Sequence, residues 1–287
     1  RILEKNNLVI LLEKTLKPDI GKFLFDPIDN EGKFNREQAV VSRKISLALD
    51  KNLFKPFLLH GVTGSGKTEI YIEAVRQCLE LKRTAVILLP EISLTPQIAG
   101  RFRSVFGDKI ALWHSKLTQR QRSITWKEIC KGTFKVVIGA RSAVFTPLKN
   151  LGLIVIDEEQ ESSFCQDSPS PRYHARDVAL VRAKQTNSVI VLASATPSLE
   201  SFYNHLNNKL TYLHLPSRYG GAKYPKVHLV DMLEEQDETG KFGQVISSLL
   251  QDKIEERLNN TLDAFLVFND NYPESKYIKQ AEKINQQ

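Results

Sequence analysis

The sequence contains no apolar run of 18 residues or more, so it predicts no membrane-spanning helix. Its longest apolar stretches are strand-sized, as from Thr84 to Leu89. The start, Arg1 to Leu12, is interrupted by charges and has no small-residue cleavage pattern, so it does not read as a secretory leader. Cysteine is scarce: Cys78, Cys130 and Cys165 are odd in number and too scattered for Cys-x-x-Cys spacing. That speaks against a disulfide framework or a zinc site and fits the reducing cytoplasm. Cys78 and Cys130 fall on helical patterns and read as packing residues rather than reactive thiols. The first residue is not Met, as expected of a fragment.

What is present is a chain of 287 residues, long enough for one large domain or two smaller ones, each able to bury a core. Forty Lys and Arg against 33 Asp and Glu give a net charge of +7, which favours a polyanionic partner, although a merely solvated basic surface has the same balance.

The dominant pattern is a short apolar strand, a turn, then an amphipathic helix. Strands are predicted at Pro56–His60, Thr84–Leu89, Lys109–His114, Phe134–Gly139, Gly152–Asp157 and Ser188–Ala193. Several are near-continuous apolar runs, as suits strands covered on both faces. Helices are predicted between them at Arg36–Leu49, Lys67–Leu81, Leu94–Phe106, Thr118–Cys130 and Ala175–Lys184. The alternation predicts an α/β fold with a parallel sheet flanked by helices, and a ligand at the carboxyl ends of its strands. Residues 1–34 read as the tail of an upstream module plus a linker. The main lobe spans 35–215. From Pro216 the pattern loosens, with a possible strand at Val227–Val230 and a helix at Phe242–Leu258; 260–287 reads as a divergent tail.

The strongest chemical signal is Gly61-Val62-Thr63-Gly64-Ser65-Gly66-Lys67-Thr68, a Gly-x-x-x-x-Gly-Lys-[Ser/Thr] loop between a strand and a helix. Glycines let the backbone wrap phosphate oxygens, and amide N–H groups at the helix N-terminus supply positive potential. Lys67 suits the β- and γ-phosphates of ATP, and the Thr68 hydroxyl suits Mg²⁺. The second signal is Asp157-Glu158-Glu159-Gln160 at the tip of an apolar strand. Acids there are costly unless they meet a cation, so Asp157 is expected to hold Mg²⁺ and Glu158 to orient or deprotonate the attacking water. A charged surface loop is the bland alternative. The third is Ser194-Ala195-Thr196-Pro197, a turn whose hydroxyls can sense the acids and phosphates, though alone it is ordinary.

Together these segments resemble the superfamily 2 helicases, and in detail the replication-restart helicases. Beyond the three motifs, the resemblance rests on Asn35-Arg-Glu-Gln38, Leu88-Leu-Pro-Glu-Ile-Ser-Leu-Thr-Pro-Gln97, His114-Ser-Lys-Leu with Arg120 and Trp126, and Ile138-Gly-Ala-Arg141-Ser-Ala-Val-Phe-Thr-Pro147. Gln160 stands where that family has His. The resemblance implies a RecA-like P-loop NTPase lobe with incomplete flanking modules. It implies adenine recognition by Gln38 and coupling through Gln160, Ser194, Ala195 and Thr196. It also likens Ser162–Gln166 and Pro171–Asp177 to the family's aromatic-rich loop, which senses single-stranded DNA. Phe164 and Tyr173 would stack on bases, with Arg141, Arg172, His174 and Arg176 near the backbone. Without the resemblance, core aromatics and solvated arginines fit slightly better.

The resemblance further implies 3′-to-5′ unwinding driven by ATP, single-stranded and forked DNA as partners, and primosome proteins and single-strand-binding protein as further ones. It runs from about Asn35 to Met232. Val227–Met232 resembles the opening of a second motor lobe, but no Gly-rich or Arg-rich motif of such a lobe and no zinc-binding cysteine cluster follows Asn259. The expectation is therefore a truncated chain, weak or inactive alone. The competing readings are a translocase for branched DNA, a non-catalytic DNA- or primosome-binding fragment with a retained nucleotide site, and a metabolic P-loop kinase, for which no acceptor lid is found between Gly107 and Gly132.

Overall fold

The computed structural model describes residues 34–90, 96–219, 228–234 and 246–271. In chain order the main elements are α1 (Arg36–Asp50), β1 (Lys55–Gly61), α2 (Lys67–Glu80), β2 (Thr84–Leu88), α3 (Pro96–Phe106), β3 (Ile110–Trp113), α4 (Gln119–Lys131), β4 (Val136–Gly139) and β5 (Leu151–Asp157). There follow β6 (Cys165–Gln166), β7 (Tyr173–His174), α5 (Ala175–Gln185), β8 (Val189–Ser194), α6 (Leu199–Leu206), β9 (Thr211–Leu215) and α7 (Ser248–Asn271). Chain contacts divide the protein into two units, Arg1–Lys223 and Tyr224–Gln287.

The first unit is built on a seven-stranded sheet in the order β3-β4-β2-β5-β8-β1-β9, every pairing parallel. Its central strands are buried on both faces, which is why their sequences are continuous rather than alternating apolar runs. One face packs Val41 and Ile45 of α1, Ile70 and Val75 of α2 and Phe102 of α3 against Phe57, Leu59, Ile87 and Val155. The other packs Ile129 of α4 and Ala175, Ala179 and Ala183 of α5 against Leu58, Val86, Ile154 and Ile190. The three alanines, spaced four apart, let α5 sit close on the sheet. Cys78 is fully buried, and burial pushes its thiol up to about 12, so it packs and does not react.

Six strands and five helices lie where the apolar periodicity predicts them, within the described residues. Elements beyond these include the edge strand β9, the short helix α6 and the antiparallel pair β6–β7. Two expectations are corrected. Residues 228–230 form no strand, and the helix expected at Phe242–Leu258 begins at Ser248 and continues to Asn271. Within the second unit, α7 exposes Leu250, Ile254 and Leu258. The expected upstream-module tail and linker over 1–33 and the part of the divergent tail over 272–287 lie outside the described residues, as do Glu91–Thr95 of the Leu88–Gln97 segment. No described helix is long and apolar enough to cross a membrane.

Close packing at the end of β4 makes a direct test. A Cβ on Gly139 would lie 2.2 Å from the Trp113 carbonyl oxygen and 2.7 Å from the Ala143 Cβ. Both are too short without moving backbone. Gly139→Ala should therefore lower the unfolding free energy by about 1–3 kcal/mol, read from the urea midpoint. An unchanged midpoint would contradict the β3–β4 packing.

Candidate nucleotide site and nucleic-acid interface

Strand register assembles the site. Within the order β5-β8-β1, Asp157 lies opposite Ala193 and His60 lies opposite Ser194. The three segments singled out by sequence thus emerge side by side at the carboxyl edge of the sheet. Gly64 and Gly66 take φ of +79° and +82°, left-handed values that L side chains avoid. A Cβ on Gly66 would also lie 2.3 Å from Gln38 Nε2. The loop is therefore wound as a phosphate cradle requires, and it delivers the N-terminus of α2 into its mouth.

Lys67 Nζ donates to the Gly61 carbonyl at 2.8 Å. Gln38 is buried, and both ends of its amide are engaged. Nε2 donates to the Ser65 carbonyl at 2.9 Å, and Oε1 accepts from Asn35 N at 3.0 Å within the capping box that starts α1. Gln38 thus braces the phosphate loop, and one amide hydrogen and one oxygen lone pair remain beyond these two bonds. Among the described residues, buried Ser65 Oγ and Gln160 Oε1 have no hydrogen-bond partner, as befits atoms that meet a polar ligand.

The acidic tip splits its duties. Asp157 Oδ1 accepts from Tyr71 Oη at 2.8 Å and from Glu158 N at 3.1 Å. Burial raises the Asp157 carboxyl above its ordinary value, against the hydrogen bond from Tyr71 and the charge of Lys67, which lower it. The Tyr71 hydroxyl is pushed well up by burial and by Asp157. Glu158 takes φ of +48°, strained for a residue with a side chain, and its Oε2 accepts from Gln160 Nε2 at 3.0 Å. Glu159 points elsewhere and is wholly buried. Ser194 is buried at the end of β8, with its Oγ accepting from Thr196 N at 2.8 Å, while Ala195 makes a backbone hydrogen bond with His60. Burial and His214 lower the basicity of His60.

The residues expected to meet DNA divide into two sets. Arg141 and Tyr173 are half-buried and reach the surface. Arg141 lies over the Tyr173 ring at 6.0 Å and donates to the Cys165 carbonyl, and exposed Phe145 meets Tyr173 edge-on at 5.1 Å. Arg172 is exposed. Phe164, by contrast, is completely buried in the sheet core, and Arg176 is turned inward to Glu159 at 3.1 Å. His174 caps α5, its Nδ1 accepting from Arg176 N at 3.2 Å. The expected base stacking of Phe164 and phosphate contact of Arg176 are thus corrected by geometry: both are spent inside the fold.

Beside Arg141 opens a cavity of about 330 Å³ lined by Ser115, Arg122, Ser142, Ser163 and Gln166. Arg122 also lies over the Trp113 ring at 5.7 Å. Two guanidiniums over two aromatic rings, with hydroxyls and an amide between, suit a polyanion that carries planar bases. Sequence reading missed Arg122; its spacing of eight from His114, within a segment already singled out, was the available signal.

Residues 39–204 match the family model described as DEAD/DEAH box helicase. The chain is 42% identical over 233 residues to the replication restart protein PriA of Bacillus subtilis (strain 168), covering 81% of this chain and 29% of that protein. It is 48% identical over 182 residues to the protein of the same name from Synechocystis sp., covering 62% of this chain and 22% of that one. The chain therefore spans less than a third of the length of these relatives. Among solved structures, RecG bound to a three-way DNA junction shares the fold, with a TM-score of 0.54, at 22% identity over 72% of this chain and 27% of that one.

The geometry around Asp157 yields a pH prediction. A raised carboxyl is favoured in the folded chain as the neutral acid. That preference stabilises the fold at low pH and is lost as pH rises through the folded value, unless a cation sits beside it. Tyr71→Phe removes the hydrogen bond that opposes the rise. The acid limb of Mg²⁺-dependent nucleotide binding, followed by fluorescent nucleotide titration, should move up by about one pH unit. A limb that stays put would remove Asp157 from the metal site.

Proposed function

Because the chain belongs to the DEAD/DEAH box helicase family, we propose that it is the ATP-binding lobe of a 3′-to-5′ DNA helicase of replication restart, coupling ATP hydrolysis to single-stranded DNA. The observation that carries the reading is the register of β5, β8 and β1, which brings Lys67, Asp157, Glu158 and Ser194 to one edge. ATP with Mg²⁺ would supply an electrophilic γ-phosphorus and a cation for the charge spread over its oxygens. The loop amides from Val62 to Thr68 would bind the phosphates. Lys67 would leave the Gly61 carbonyl to meet the β- and γ-oxygens, and Thr68 and Asp157 would hold the metal. Glu158 would orient the attacking water and take its proton, held in place by Gln160.

Single-stranded DNA would run past Arg122, Arg141 and Arg172, with Tyr173 stacking on a base. Forked DNA, primosome proteins and single-strand-binding protein enter as partners by likeness to the replication restart proteins, and a cytoplasmic setting accompanies them. Base-edge specificity is not part of the proposal, since the contacts suit backbone and base faces.

Steady-state ATP hydrolysis with and without single-stranded DNA decides the matter. The expected outcome is DNA-stimulated turnover that weakens with salt. Lys67→Ala and Glu158→Gln should each reduce it by about 10²-fold or more. Tyr173→Ala should lower the stimulation by DNA and leave the rate without DNA unchanged. Turnover that ignores DNA would leave only a nucleotide-binding fragment.

A further inference from the structure

Glu159 is a fully buried carboxylate, two residues past the metal-binding Asp157, that takes no part in the proposed chemistry. It is held on every side. Its Oε1 accepts from Ser198 N at 2.7 Å. Its Oε2 accepts from Arg176 at 3.1 Å, Ser201 Oγ at 2.8 Å and Ser198 Oγ at 3.2 Å. Arg176, itself only 13% exposed, closes the ring by donating to Ser198 Oγ at 2.8 Å. The backbone N–H of Glu159 is fixed to the Ala193 carbonyl of β8 at 3.0 Å.

These bonds join three segments far apart in sequence. The first is the acidic tip after β5. The second is the turn after β8, where Ser198 caps α6. The third is the first turn of α5, directly following Tyr173, whose ring meets Arg141 and Phe145. A carboxylate and a guanidinium buried together cannot separate cheaply, since each would be left with an uncompensated charge. The cluster therefore moves as a unit or breaks as a unit.

We propose that Glu159 is the positioning residue that couples the nucleic-acid surface to hydrolysis: displacement of Tyr173 and Arg172 by a bound strand reaches Glu158 and Ser194 through Arg176 and Glu159. This rests on the proposed DNA-stimulated hydrolysis. By reciprocity, occupation of the nucleotide site also biases the Tyr173 surface.

The test uses the full chain, with Glu159→Gln and Arg176→Lys. Glu159→Gln keeps the volume and one acceptor oxygen, but it removes the charge that pairs with Arg176 and sets an NH2 group against donors at the other oxygen's place. ATP turnover is measured with and without a thymidine oligonucleotide, and amide hydrogen exchange is measured without any ligand. In Glu159→Gln the basal rate and KM for ATP should stay within about twofold, while stimulation falls about tenfold. Arg176→Lys, which keeps the charge, should retain part of it. Exchange at 172–177 and at 198–203 should rise together by about tenfold, with 61–68 unchanged. A staple serving stability alone would lower the unfolding midpoint and leave the stimulation ratio intact. That result, or loosening of only one of the two segments, overturns the proposal. An unstimulated wild type sinks the functional reading instead, and the exchange measurement then decides by itself whether Glu159 joins the segments.

Discussion

The chemistry at the sheet edge depends on one alignment: three parallel strands, buried on both faces, held in a fixed register. A slip of one residue would exchange the side chains of the two packed faces, so the fit of Val189–Leu192 and Leu153–Ile156 to the helices on each side locks the register. Once locked, it sets His60 level with Ser194 and Asp157 level with Ala193. The phosphate loop, the acidic tip and the hydroxyl turn then have nowhere to go but the same crevice. Their positions follow from hydrophobic burial in the strands below them.

That crevice is electrostatically unfinished within the protein. Asp157 is raised by burial and only partly relieved by Tyr71 and Lys67. Lys67 rests on a neutral carbonyl rather than on a carboxylate, and Ser65 and Gln160 hold buried oxygens without partners among the described residues. Each feature costs stability in isolation. Together they describe a site that a polyanion and a divalent cation would complete, because the cation relieves Asp157 and the phosphates engage Lys67 and the loop amides.

Much of this was legible in the sequence, for physical reasons that can be named. Strands covered on both faces need unbroken apolar runs, and such runs are easy to see. The phosphate loop is legible because only glycine tolerates the backbone at Gly64 and Gly66. β9 escaped because it is an edge strand, alternating and half-exposed, with polar Tyr212 and His214 facing an aromatic cluster with His60. α6 escaped because its apolar residues Leu199, Phe202, Tyr203 and Leu206 are largely exposed and do not report a core. Phe164 and Arg176 were misread for another reason. An aromatic and an arginine in a polar segment fit a nucleic-acid surface and an internal lock equally well, and only burial separates the two.

The acidic run shows how consecutive residues of one kind acquire different tasks. Along a strand successive side chains face opposite sides. Asp157 closes β5 facing Tyr71 on the α2 side, where Lys67 also lies. Continued as a strand, the run would send Glu158 to the opposite face and return Glu159 beside Asp157, setting two carboxylates against each other. The positive φ at Glu158 breaks that alternation. It leaves Glu158 at the mouth with Gln160 and sends Glu159 to the α5 and α6 side, where Arg176 neutralises it. A left-handed residue with a side chain costs roughly 1–2 kcal/mol. Two like charges crowded in a poorly hydrated pocket would cost more. The strained turn is thus the cheaper arrangement. It also leaves the proposed metal ligand, the proposed water-orienting group and a buried anchor on three consecutive residues, each facing a different part of the fold.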